Sequence, residues 1–146
     1  MRSTAQRRAD ALDKLENDND VWVATAAGSD AYLVPLSLCW LDGQVVVTTL
    51  AQSPTARNAA ASGQARLALG DTRDVVMIDA SLASVVPQRY ANRALVDAFR
   101  NRTGWAPGGA EGNYVYLRFQ PRRVQVWRDV EELSGRTVMR DGSWLS

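Results

Sequence analysis

The residues best suited to chemistry cluster in "TTLAQSPTARN", residues 48 to 58. Ser-Pro is a strong helix start, because serine caps the first turn and proline takes the first helical position, where its missing N–H is no loss. If a helix begins there, Ser53, Thr55 and Arg57 stand on its opening turns, where backbone N–H groups are free and the helix dipole is positive. Two hydroxyls, unpaired amides and a guanidinium one turn on are a donor set suited to a phosphate. Thr48 and Thr49 end the preceding β-branched run, so a ligand anchored by its phosphate would lay its body along the strands. The same spacing also describes a well-capped helix with a solvated arginine, and local sequence alone does not separate the two.

Absent residue types exclude much else. The chain has no histidine and a single cysteine, Cys39. Ser-His-Asp and Cys-His nucleophilic systems, histidine-ligated haem and nitrogen or sulfur metal sites therefore have no ligand set. The paired carboxylates, Asp18 with Asp20, Asp71 with Asp74 and Glu131 with Glu132, fall in predicted linkers and turns and read as solvated loops. Seventeen basic residues oppose sixteen acidic ones, leaving +1. No block of like charge exists to track a polyanion, which argues against nucleic acid as a partner. Sixteen of the basic residues are arginine, a coding bias more than a site. A lone cysteine in an apolar run, an N-terminus without a signal-peptide core and no window near 18 apolar residues lead to the expectation of a cytoplasmic protein with no membrane segment.

The elements that must position these residues follow from periodicity. At 146 residues and 46% hydrophobic content the chain is expected to form one domain, 1–146. A helix over 1–17 opens on a Ser3/Gln6 capping box and carries Ala5, Ala9, Leu12 and Leu15 at helical spacing. Core strands fill 21–86: 21 to 25, 31 to 40, 44 to 50, 65 to 69 and 74 to 85, with Leu41-Asp42-Gly43 a hairpin signal. The helix 53–62 interrupts them and ends at Gly63. A second helix, 88–103, is predicted to bury Tyr90, Ala94, Leu95, Ala98 and Phe99 and to end at Gly104. After the polar loop "APGGAEGN", residues 113–128 supply one or two strands interrupted at Pro121. The tail 129–146 carries an Asp-Gly hairpin signal. Short, closely spaced strands with few helices between them predict a mainly β fold with helices, a small barrel of about six antiparallel strands.

Beyond these patterns, "VPLS", "TT…SPTARN" and "RVQVW", in that order, together with "GWAP" and "GRTVMRDGSWL", make the chain after residue 20 resemble the split-barrel family of pyridoxamine 5′-phosphate oxidase-like proteins. The likeness leans toward an actinobacterial branch. That family includes FMN-dependent members and reductases of the deazaflavin coenzyme F420. The resemblance implies a dimeric, six-stranded antiparallel split β-barrel with two cofactors at the subunit interface. It implies that the phosphate lies on the strand–helix turn at Thr48, Thr49, Ser53, Thr55, Arg57 and Asn58, and the ring against Val34, Pro35, Leu36 and Ser37. Trp105, Trp127 and Trp144 are candidates for the ring or substrate pocket across the interface, although tryptophans of this kind more often make core or dimer contacts. One departure stands out: many members carry lysine where this chain has Thr55. The implied function is an FMN-dependent oxidoreductase, with F420 as the alternative cofactor, moving hydride to or from a small organic substrate. A non-catalytic flavin-binding, storage or ligand-sensing dimer is the other reading. Oxidation of pyridoxamine 5′-phosphate itself is not expected, since a second phosphate would need its own basic cluster and Arg122 and Arg123 read as solvated in a turn.

Overall fold

The computed structural model describes residues 1–108 and 112–146, so part of the predicted polar loop, 109 to 111, lies outside the described residues. Three helices accompany one antiparallel sheet. In chain order they are α1 (Thr4–Asn17), β1 (Asp20–Ala27), β2 (Asp30–Ser37), β3 (Cys39–Leu41), β4 (Gln44–Leu50), α2 (Pro54–Ser62), β5 (Gln64–Asp71), β6 (Asp74–Pro87), α3 (Arg93–Thr103), β7 (Tyr114–Trp127), β8 (Thr137–Arg140) and β9 (Ser143–Trp144). The sheet runs β2-β1-β5-β6-β7-β4-β3 and curls into a half-barrel, while β8 and β9 branch from the far half of β7. No helix among the described residues is long and apolar enough to cross a membrane.

Among the described residues the sheet path has seven strands with β8 and β9 off it, against about six expected, for two physical reasons. The predicted strand over 31 to 40 breaks at Leu38, whose N–H turns away to the Asn19 carbonyl at 2.9 Å, so β2 and β3 are separate and lie at opposite edges of the sheet path. The tail also folds back as the β8–β9 hairpin. Its turn and the β3–β4 turn use the same chemistry: Asp42-Gly43 and Asp141-Gly142 all have positive φ, as primed hairpin turns require. Pro121 does not divide β7, which stays continuous because a bulge absorbs the interruption. Asp79 pairs with Arg123 and Ala80 with Pro121, leaving Arg122 as the unpaired extra residue.

Alternation along the strands builds two cores. Val21, Val23, Leu67, Ile78, Val45, Val47, Leu117, Phe119 and Val126 line the concave face and are closed over by Ala11 and Leu15 of α1 and Ala56 and Ala59 of α2. On the other face α3 lays Leu95 and Phe99 over Cys39, Val46 and Tyr116. Phe99 and Tyr116 meet edge to face at 5.5 Å.

Both flanking helices bury only part of the predicted stripes: Leu15 in α1 and Leu95 and Phe99 in α3 are buried as expected, and others are not. In α1 the buried stripe is Arg7, Ala11 and Leu15, while Ala5 and Ala9 are exposed. Arg7 enters the interior because backbone carbonyls await it: its Nη1 donates to Val126 and Glu132 at 3.2 and 2.9 Å. Beside it the buried Glu132 carboxylate accepts from the Arg2 guanidinium at 2.6 and 3.1 Å and from the Arg2 and Arg128 amides at 3.0 and 2.9 Å. The Arg2 hydrogen bond, first among these, pulls the Glu132 pKa from 4.5 down to about 2. In the segment predicted as the helix 88–103, Gln88–Tyr90 is a separate 3₁₀ turn and α3 starts only at Arg93 behind its Asn92 cap. Tyr90 and Ala94 are therefore exposed, and Leu95 and Phe99 carry the contact.

Candidate functional site at the start of α2

The turn from β4 into α2 is a chain of short polar contacts. Ser53 caps the helix, its Oγ accepting the Ala56 N–H at 3.2 Å and the Thr49 hydroxyl at 3.1 Å. With Oγ serving as acceptor in both contacts, the Ser53 O–H keeps its capacity to donate. Pro54 has no N–H, and the Arg57 amide closes the first helical bond onto the Ser53 carbonyl. That leaves the Thr55 N–H without a hydrogen-bond partner among the described residues. The Ala51 amide ties the turn to Asn113 at the start of β7, at 2.7 Å. At the other end Gly63, with φ 72°, ends the helix in the left-handed conformation.

The predicted phosphate residues separate into those that share this turn and those that do not. Arg57 is exposed, and its guanidinium makes no hydrogen bond or ion pair among the described residues. Thr49, Ser53 and Arg57 therefore belong to one accessible locus. Thr55 is 1% exposed, so the whole residue, amide as well as side chain, is sealed inside. Thr48 faces the opposite side of β4 from Thr49, as adjacent strand residues must, and spends its hydroxyl on the Val115 carbonyl at 2.9 Å. Asn58 turns toward β1 and donates to Thr25 Oγ1 at 3.3 Å.

Alternation also divides the predicted ring platform. Val34 and Leu36 pair with the inward Val23 and Val21, whereas Pro35 pairs with Trp22 on the outer face, with Ser37 beside it. One flat ring therefore cannot rest on all four side chains. Trp105 packs edge to face on Tyr114 at 5.5 Å, and Trp127 lies under the Arg136 guanidinium at 5.7 Å. Tyr114 and Trp127 begin and end β7, roughly 40 Å apart at the usual rise per residue. Within one chain the two tryptophans line no common pocket. Trp144 is covered by Arg8 at 5.1 Å.

Thr25 is the site neighbour that sequence reasoning missed. Its signal was available: Val21, Val23 and Thr25 form one alternating face, so a buried hydroxyl had to find a partner there. The remaining reactive group, Cys39, lies under α3, where burial pushes its thiol pKa up and holds it neutral. It offers no nucleophile.

Several solved structures share this architecture. An F420 reductase superposes with a TM-score of 0.64 at 14% identity, covering 77% of this chain and 93% of its own. The chain has the split-barrel fold. A protein related to general stress protein 26, of the pyridoxinephosphate oxidase family from Clostridium acetobutylicum, matches at 0.65 and 13% identity over 86% and 90% of the two chains. A FAD-binding protein from Mesorhizobium loti matches at 0.55 and 16% over 80% and 90%. No family model matches the sequence, and no curated protein matches it.

Proposed function

We propose that this chain is a homodimeric flavin-type oxidoreductase, with FMN ahead of F420 as cofactor, acting on a small organic substrate. The observation that carries the reading is the exposed Arg57 guanidinium, without a hydrogen bond or ion pair among the described residues, one helical turn on from the Ser53 hydroxyl. These two donors fit a phosphate. The names of the proteins that share the fold, an F420 reductase and a FAD-binding protein among them, support the class of cofactor. A homodimer is supported by apolar surface on β1 and β2: Trp22 is 48% and Leu33 59% exposed.

A bound flavin or deazaflavin would supply hydride transfer at its ring. The chain's own part is to hold and orient: Arg57 and Ser53 fix the phosphate end, and Thr49 fixes Ser53. No histidine, carboxylate or thiol belongs to the turn itself, so protons exchange with water. That same lack of an acid or base favours, as the second reading, a dimer that binds the coenzyme without turnover.

The test is fluorescence titration of cofactor-free protein with FMN and with F420 in parallel. Saturable binding of one is expected, weakened about 10- to 100-fold in Arg57→Ala, the range for a lost charged hydrogen bond. An unchanged dissociation constant in Arg57→Ala, or binding of neither coenzyme, refutes the site. Oxidation or reduction of an acceptor no faster than by free coenzyme would leave the binding reading in place of the enzyme.

A further inference from the structure

The far end of α2 borders a second feature that the phosphate site does not use. A groove of about 530 Å³, within the size range of small-ligand sites, runs over the outer face of β1, β5 and β6 and reaches α2 only at its last residue, Ser62. Ala24, Ala26 and Ala31 give it an apolar lining, and Arg66, Asp79 and Arg122 supply its charge.

The arrangement of those charges is lopsided. Strand register sets Ala24, Arg66, Asp79 and Arg123 in one row across four strands. Asp79 sits between two arginines, Arg66 Nε at 3.2 Å from Oδ1 and Arg123 Nε at 2.7 Å from Oδ2. One carboxylate is thus shared by two guanidiniums, each engaged through Nε, and neither has another partner among the described residues. Arg122 is the extra residue of the β7 bulge. Its backbone is pinned by the β9 hairpin, since the Gly142 N–H donates to the Arg122 carbonyl at 2.8 Å. Its side chain has no hydrogen bond or ion pair among the described residues. Two lining arginines against one lining carboxylate leave a surplus of one positive charge at the groove, and Asp79 is further engaged by Arg123 outside the lining. Arginine forks with free Nη edges match planar or tetrahedral oxyanions.

The geometry points to a small-molecule site for an organic anion, a carboxylate or phosphate ester with a compact apolar body. Its oxyanion lies against the Nη groups of Arg66 and Arg122, and its body lies on the alanine floor. Arg122 lines the groove from the β7 bulge, and its guanidinium lies over Gly142 of the β8–β9 turn; bulges recur beside functional sites.

Calorimetric titration of the full chain with benzoate and with phenyl phosphate tests this, with benzyl alcohol as the neutral isostere. Saturable, salt-sensitive binding of one or both anions is expected, and the stronger of the two identifies the headgroup. Arg66→Gln and Arg122→Gln should each weaken it about 10-fold or more. Asp79→Asn should tighten it, because it releases both flanking guanidiniums, and a merely structural role for the row predicts no such gain. All three positions are at least partly solvent-exposed, and a circular dichroism melt confirms that each variant is folded. Four results overturn the proposal: no saturable anion binding, equal binding of benzyl alcohol, indifference to Arg66→Gln and Arg122→Gln, or loss of binding in Arg57→Ala instead, which would place the anion at the start of α2.

Discussion

Arg102 holds together three parts of the fold that position β2. Its guanidinium donates to four backbone carbonyls: Leu15, Glu16 and Asp18 at the end of α1, at 3.2, 2.7 and 2.6 Å, and Leu38 at the β2–β3 break, at 2.9 Å. The Glu16 bond is open to water and contributes little. The other three are partly shielded, and at about 1 kcal/mol net each they give roughly 3 kcal/mol lost in Arg102→Ala. An unfolding entropy of about 2 cal/mol/K per residue makes the slope about 0.3 kcal/mol/K for a chain this long, so Tm should fall by about 10 °C. Arg102→Lys keeps the charge but cannot reach carbonyls on two elements at once, and should recover only about a third of the loss. Thermal unfolding followed by circular dichroism reads both. A Tm for Arg102→Ala within error of the parent would show that water replaces the guanidinium freely and that the staple does not stabilise the break.

Three further expectations come from buried polar groups. Glu132 is held at a pKa of about 2 against an ordinary 4.5, so its stabilisation is fully present above about 4.5 and is lost as pH falls toward 2; acid melts should show that loss, and Glu132→Gln, less stable at neutral pH, should flatten it, whereas an unchanged slope refutes the assignment. The Tyr116 hydroxyl is fully buried without a partner among the described residues, so Tyr116→Phe should leave stability unchanged or raise it by up to ~1 kcal/mol in denaturant titration, and a clear loss would reveal a partner for the hydroxyl. Thr55→Lys, although it restores the residue type common in the resembling family, should cost about 2 to 4 kcal/mol because the position is sealed; an unchanged Tm with tighter FMN binding would show that the new side chain escapes to the phosphate instead.

Features fixed by neighbours in sequence were legible. The Ser53-Pro54 start and Gly63 end of α2, the Ser3/Gln6 box and the Asp-Gly turns each depend on contacts within a few residues, and each is where local chemistry places it. Features fixed by distant partners were not. Arg7 and Arg102 read as surface charge in any local pattern, yet they are drawn inward by carbonyls 64 to 125 residues away. The break at Leu38 has no proline or glycine to announce it. It exists because the Asn19 carbonyl takes one backbone bond and Arg102 another.

The same division applies to the two arginine sets around α2. Arg57 was visible because a cap, a proline and a helical turn place it, all within five residues. Arg122 and Arg66 were not, because one stands in a bulge whose register is set by β6, and the other meets Asp79 only through strand pairing. A pair such as Arg122-Arg123 reads as a solvated turn until the ladder shows that the two residues go different ways, one to Asp79 and one to the groove. The α2 helix thus has an arginine-bearing locus at each end, nine residues apart, or roughly 13 Å along the axis. Anion binding lost in Arg57→Ala alone and anion binding lost in Arg66→Gln alone are then separate results, and each tests its own end of the helix.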